Sequence, residues 1–168
     1  MKFSKILLAG SAFAVSGVAL AATDGLLDAT STGTAEVIVI KENAVQITDV
    51  DDIDLGTQPL LTADAVGSDD VCVFNSTGTY DVTVSSANGF TLASGTDAMP
   101  YAVTWSANGG AAADAAAGTL VGLVGDSTST TCAGGTNATF EVTVAAADFN
   151  AVDPGTYTDT LTLFVEPE

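Results

Sequence analysis

Apolar and polar residues alternate with a period of two along most of this chain, the signature of half-buried β-strands. Tyr80, Val82 and Val84 face one way and Asp81, Thr83 and Ser85 the other. Phe140, Val142 and Val144 oppose Thr139, Glu141 and Thr143, and Tyr101, Val103 and Trp105 repeat the pattern. Tyr157 to Val165 predicts a final strand, with Tyr157, Leu161, Leu163 and Val165 on one face and Thr158, Thr160 and Thr162 on the other. Shorter strands are expected at Ala44–Thr48, Val71–Phe74, Phe90–Leu92 and Leu120–Val124. In Asp49–Gly56, acidic and apolar residues mix so that Val50, Ile53 and Leu55 are expected to turn inward. Thr57–Asp70 and Ser127–Asn137 read as loops, and Asn88-Gly89 as a turn. The Ala/Gly run at Asn108–Gly118 is too short to hold a helix alone and predicts a loop with room for one helical turn.

The strongest β character lies at Thr34–Ile40, Thr-Ala-Glu-Val-Ile-Val-Ile, where branched side chains suit a pleated surface. Such a strand can pair within its own sheet or be lent to another molecule by strand addition. Outside the N-terminus no long segment follows a 3.6-residue period. The expected class is all-β, eight or nine short strands forming a β-sandwich.

The first residues change the picture. Lys2 and Lys5, the apolar run Ile6–Leu20 and Ala19-Leu20-Ala21 predict a cleaved secretory signal over residues 1–21. Removing 21 residues from 168 leaves 147, enough for one cored domain: an extension over 22–43 and a body over 44–168. No membrane insertion is expected after cleavage. Lys2 and Lys5 leave with the signal, so Lys41 stands alone against 21 acids, a formal charge of −20. Nothing remains to neutralise phosphates, which argues against a nucleic-acid partner. Two cysteines, Cys72 and Cys132, in an exported chain predict a disulfide.

The chain has no His and no Arg, so the usual general base, Ser-His and Cys-His pairs and histidine metal sites are missing. No catalytic residue, cofactor or metal ligand is assigned, and no enzyme is expected. Asp49, Asp51, Asp52 and Asp54 fail the EF-hand pattern, because Ile53, Asp54 and Leu60 stand where an oxygen ligand, a glycine and a glutamate are required. They read as a solvated acidic edge. Asn75-Ser-Thr and Asn137-Ala-Thr match the glycosylation acceptor pattern, read here as turn composition.

Several stretches in order, Ile53-Asp54-Leu55-Gly56, Cys72 through Val84, Met99 through Trp105 and Gly155-Thr-Tyr-Thr-Asp-Thr-Leu through Glu168, make residues 34–168 similar to archaic-type bacterial chaperone–usher pilins and the related spore coat protein U domain. That resemblance implies an incomplete immunoglobulin-like sandwich lacking one strand. It also implies a periplasmic chaperone, an outer-membrane usher and like subunits as partners, with delivery to the cell surface as a pilus that supports adhesion. The donor strand would be residues 34–40, filling a groove with Ala35, Val37 and Val39, or with Glu36, Ile38 and Ile40; the first set is wholly apolar and preferred. The chain departs from many spore coat sequences in having no cysteine near Val45–Thr48. The readings from another class are a self-contained secreted module, lectin-like or cation-binding, and a surface coat component.

Overall fold

The computed structural model describes residues 22–168, so the signal expected over 1–21 lies outside them. The chain divides into two units, Met1–Lys41 and Glu42–Glu168.

In the first unit Thr23 and Thr34 exchange backbone hydrogen bonds of 3.1 and 3.0 Å across an isolated antiparallel bridge. Residues 35–41 join no strand ladder. Val37 and Val39 are 93% and 92% exposed, and Ile38 and Ile40 are exposed as well. The segment with the strongest strand propensity is thus the one without a sheet.

The second unit is all-β. Its strands are β1 (Val45–Thr48), β2 (Ala65–Asn75), β3 (Thr79–Ser86), β4 (Thr91–Ser94), β5 (Asp97–Pro100), β6 (Ala102–Ala107), β7 (Ala113–Asp114), β8 (Leu120–Val124), β9 (Ala138–Val144) and β10 (Leu161–Pro167). All ladders are antiparallel: a five-stranded sheet ordered β1-β2-β9-β6-β7, a three-stranded sheet β10-β3-β8, and the hairpin β4-β5. The two larger sheets bury their inner faces in one common core: Val71 and Val73 of β2, Val103 and Trp105 of β6 and Phe140 and Val142 of β9 on one side, Tyr80, Val82 and Val84 of β3 on the other. Trp105 stacks on Phe140 with centroids 6.3 Å apart. Its indole N–H donates to the Tyr80 hydroxyl at 3.2 Å, so the largest core side chain keeps its one polar group satisfied and ties the sheets together.

The differences from the periodicity reading have local causes. β2 begins at Ala65, inside the stretch expected to be a loop, because Ala65–Val71 pairs residue by residue with β9 despite carrying few apolar side chains. The final strand begins at Leu161 rather than Tyr157, with only an isolated bridge from Thr158 to Ala93 before it. No helical turn forms in 108–118, where β7 pairs with β6; a single 3-10 turn spans Cys132–Gly134, and a short α-helix, α1 (Ala146–Phe149), follows β9. Asp49 takes a left-handed φ of 61°, which breaks the alternation beyond β1 and leaves Val50 half exposed, while Ile53 and Leu55 do pack on the core.

Cys72 and Cys132 form the expected disulfide, fastening the 127–137 loop to β2 across 60 residues of chain. Both candidate glycosylation asparagines are spent on structure. Asn75 is fully buried, accepting from Thr77 N–H at 2.8 Å and donating to the Thr79 carbonyl. Asn137 mimics a peptide group, accepting from Val73 N–H at 2.8 Å and donating to its carbonyl at 2.9 Å.

Closing a loop of this length restricts the unfolded chain by about 4 kcal/mol in the chain-entropy model. The double variant C72A/C132A is therefore expected to lose up to about that much stability, read as a lower urea midpoint at neutral pH with an unchanged far-UV spectrum of the folded state.

Candidate strand-acceptor groove

β10 is paired on one side only. Its ladder with β3 runs from Leu161↔Ser86 to Pro167↔Tyr80, and no strand among the described residues pairs with its other edge. The phase of the ladder decides what that edge presents. Ala87 N–H donates to the Thr160 carbonyl at 2.9 Å and Glu168 N–H to the Thr79 carbonyl at 3.1 Å, so the even-numbered residues exchange hydrogen bonds with β3. The N–H and C=O groups of Leu161, Leu163 and Val165 therefore point to the unpaired edge. Leu161, Leu163 and Val165 are also the residues whose side chains turn inward, half-buried against the core.

Opposite this edge runs the segment after β1. Ile53 and Leu55 lie over Gly67 of β2, and a Cβ at that glycine would come within 2.5 Å of Ile53 Cγ2 and 2.8 Å of Leu55 Cδ2. Glycine is required there because the two side chains take its space. The segment from Asp49 to Leu60 is lightly tied to the rest of the unit: Asp51 N–H donates to Asp69 Oδ2 at 2.8 Å and Thr48 Oγ1 to Asp49 Oδ2 at 3.4 Å, while Gly56 N–H bonds within the segment to Asp54.

Between the two edges lies an open cleft of about 430 Å³. Ile53 and Leu55 form one wall, Leu161 and Leu163 the other, and Phe140 and Val142 of β9 the floor. A second cleft of about 400 Å³ shares Ile53, Leu55, Leu92, Tyr157 and Thr158 and extends the apolar lining to Met99, Val144 and Phe149. Together they make a groove between the edge of β10 and the segment after β1, floored by the core itself. β1 comes alongside β10.

Asp159 braces the chain where it enters β10. Tyr101 Oη donates to Asp159 Oδ2 at 2.6 Å and Ser86 Oγ to the same oxygen; Thr160 and Asn88 N–H groups donate to Oδ1 at 2.7 and 3.1 Å. Burial works to raise the Asp159 pKa, but the hydrogen bonds from Ser86, Tyr101, Thr160 and Asn88 together outweigh it and hold the carboxyl below its ordinary value. Burial, and then the hydrogen bond to Asp159, hold the Tyr101 phenol above its own. Asp51 and Asp52 stand exposed on the opposite wall. Among the described residues no three carboxylates or cysteines converge closely enough to hold a metal ion.

The expected polymerisation residues Ala35, Val37, Ile38, Val39 and Ile40 belong to the first unit, and the groove to the second. Periodicity did not single out Asp159 or Gly67; a lone acid within a Thr/apolar alternation, and a glycine amid small polar residues, were the only signals. No family model matches the chain, and no curated protein or solved structure matches it either.

Because its folded pKa is depressed, Asp159 contributes stability that is complete above the unfolded carboxyl value of 3.8 and is lost as pH falls through the lower folded value. Urea unfolding should therefore show D159N less stable than the parent chain at pH 6. The gap is expected to narrow below the ordinary carboxyl value and close in stronger acid; a gap independent of pH would sink this assignment.

Proposed function

We propose that this chain is a structural pilus subunit that polymerises by donor-strand complementation, residues 34–40 of one copy filling the groove of the next. The supporting observation is the pairing of two complementary defects. One is a core-floored groove beside the unpaired edge of β10. The other is an exposed, strongly β-prone segment without a ladder. A strand laid in the groove would satisfy the outward backbone groups of Leu161, Leu163 and Val165 and cover the apolar floor in one step. Each Val or Ile side chain removed from water adds about 1.5–3 kcal/mol. Ala35, Val37 and Val39 form the inserted face, because the alternative face would carry Glu36 into an apolar cleft.

The fold is on this reading an immunoglobulin-like sandwich missing one strand, as the resemblance to archaic chaperone–usher pilins implies. A periplasmic chaperone would shield the groove until an outer-membrane usher exchanges it for the next subunit's strand, building a surface fibre that supports adhesion and biofilm. No catalysis is assigned. A self-contained secreted module draws support from the core, in which every buried side-chain polar atom among the described residues has a partner.

The two readings separate on electrophoresis of the exported full chain in SDS, heated against unheated. Donor-strand assembly gives a ladder that collapses on heating. V37D/V39D, altered outside the β-unit, is expected to reduce the ladder to monomer, and L163R, altered in the groove, to do the same. Mixing these two variants should restore dimers and nothing longer, since one can only accept a strand and the other only donate one. A single monomer band for the unaltered chain in both lanes, with one sharp monomer peak on gel filtration, would favour the self-contained module.

A further inference from the structure

We propose that the short linker Lys41-Glu42-Asn43 bars residues 34–40 from the groove of their own chain, so that only a second copy can fill it. This rests on the strand-exchange reading and adds what keeps a subunit from closing on itself.

A polymer needs such a bar. A strand tethered to its own groove by a linker able to span the gap meets it at an effective concentration in the millimolar range, about a thousandfold above that of a separate copy at micromolar protein. Insertion within one chain would then win. A linker that cannot span the gap brings that effective concentration near zero.

Hydrogen bonds fix where the linker ends. Ala44 N–H donates to Ser76 Oγ at 2.8 Å and Ser76 N–H to the Ala44 carbonyl at 2.9 Å, which pins Ala44 just beyond the end of β2. From Ile40 to that anchor is four residue steps, a reach of about 14 Å at full extension. The groove wall lies farther off. Val45–Thr48 pair with Asn75–Cys72, and past them Asp51 N–H bonds Asp69. Asp69 is seven residues along β2 from Ser76, about 23 Å. Ile53 and Leu55, seated over Gly67, are farther still.

The two sides of the groove run in opposite directions. Val50 and Asp51 share the first cleft with Leu161 and Leu163, whereas Thr57 and Gln58 share the second with Gly155 and Thr156. A strand antiparallel to β10 would therefore follow the direction of the 50–58 wall and carry Ile40 past Asp51, where the linker cannot return to Ala44. A strand parallel to β10 must instead double back before β1. A two-residue turn at Glu42-Asn43 sets Lys41 against Ala44, Ile40 against Val45 and Thr34 against Asp51. Val37 and Val39 then fall beside β1, which already lies alongside β10, and miss the groove. Neither sense seats the apolar face within one chain. The strand of a second copy is under no such constraint.

The test lengthens the linker in the full exported chain. Inserting about twelve Gly/Ser residues between Asn43 and Ala44 gives a tether with an r.m.s. span of about 21 Å, close to the gap to be crossed. On unheated SDS gels at micromolar protein, the lengthened chain is expected to lose its ladder at least about tenfold and run as a monomer. The urea midpoint of that monomer should fall when V37D/V39D is added, because its own strand fills its groove. The parent monomer, separated by gel filtration, should keep its midpoint under the same change. A lengthened chain that ladders like the parent, or a lengthened monomer indifferent to V37D/V39D, overturns the inference while strand exchange stands. So does a parent monomer that V37D/V39D destabilises, since its strand would then reach its own groove. If the parent forms no ladder and its monomer ignores V37D/V39D, the strand-exchange reading falls and this inference with it.

Discussion

An unpaired strand edge lying directly over a hydrophobic floor is the constraint on which the rest of this molecule turns. In most antiparallel sheets an edge strand can be tolerated because its inner face is covered and only its backbone meets water. Here the coincidence of phase along β10 removes that option. Leu161, Leu163 and Val165 carry both the inward side chains and the outward-directed backbone groups, so whatever satisfies the backbone must also cap the core. Water can do the first and not the second. The five-against-three strand count of the two sheets expresses the same imbalance.

Around that defect the body is well determined. The Trp105–Tyr80 hydrogen bond joins the two sheets, the Cys72–Cys132 bridge fastens the 127–137 loop to β2, and the Trp105–Phe140 stack backs the groove floor from inside the core. Asn75 and Asn137 close the backbone around β2 by acting as extra peptide groups. By contrast the wall made by 49–60 has few hydrogen bonds outward and depends on two apolar side chains seated over a glycine. The lightly bonded element borders the cleft, the distribution that the proposed strand exchange calls for.

Periodicity made the centre of the fold legible. β3, β6 and β9 alternate cleanly because each has one face in the core and one in water, and their inward residues are the buried ones. It failed where pairing rather than burial makes the strand. Ala65–Asp70 is held by β9 with little apolar patterning, and nothing local distinguishes it from a loop. It failed again at Val50, where one left-handed residue, Asp49, resets the phase. The segment proposed as donor, residues 34–40, was visible from propensity alone, since a run of Val and Ile advertises itself. The groove was not, because it is made by the absence of a neighbour, and absence leaves no pattern in a strand that alternates normally. Asp159 shows the remaining limit: its role comes from Ser86, Asn88 and Tyr101, far off in sequence.

The extreme acidity then acquires a structural meaning beyond solubility. A protein that exposes both an apolar strand and an apolar groove courts indiscriminate association, because hydrophobic contact is non-directional. Eighteen acids (the 21 of the chain less Asp24, Asp28 and Glu36) and no base on the β-unit oppose every approach between copies. Repulsion over the whole surface would disfavour contacts that bury little apolar area and leave the close fit of an inserted strand as the one that outweighs it. Specificity would come from the charges, while the free energy of joining would come from the backbone hydrogen bonds and the buried valines.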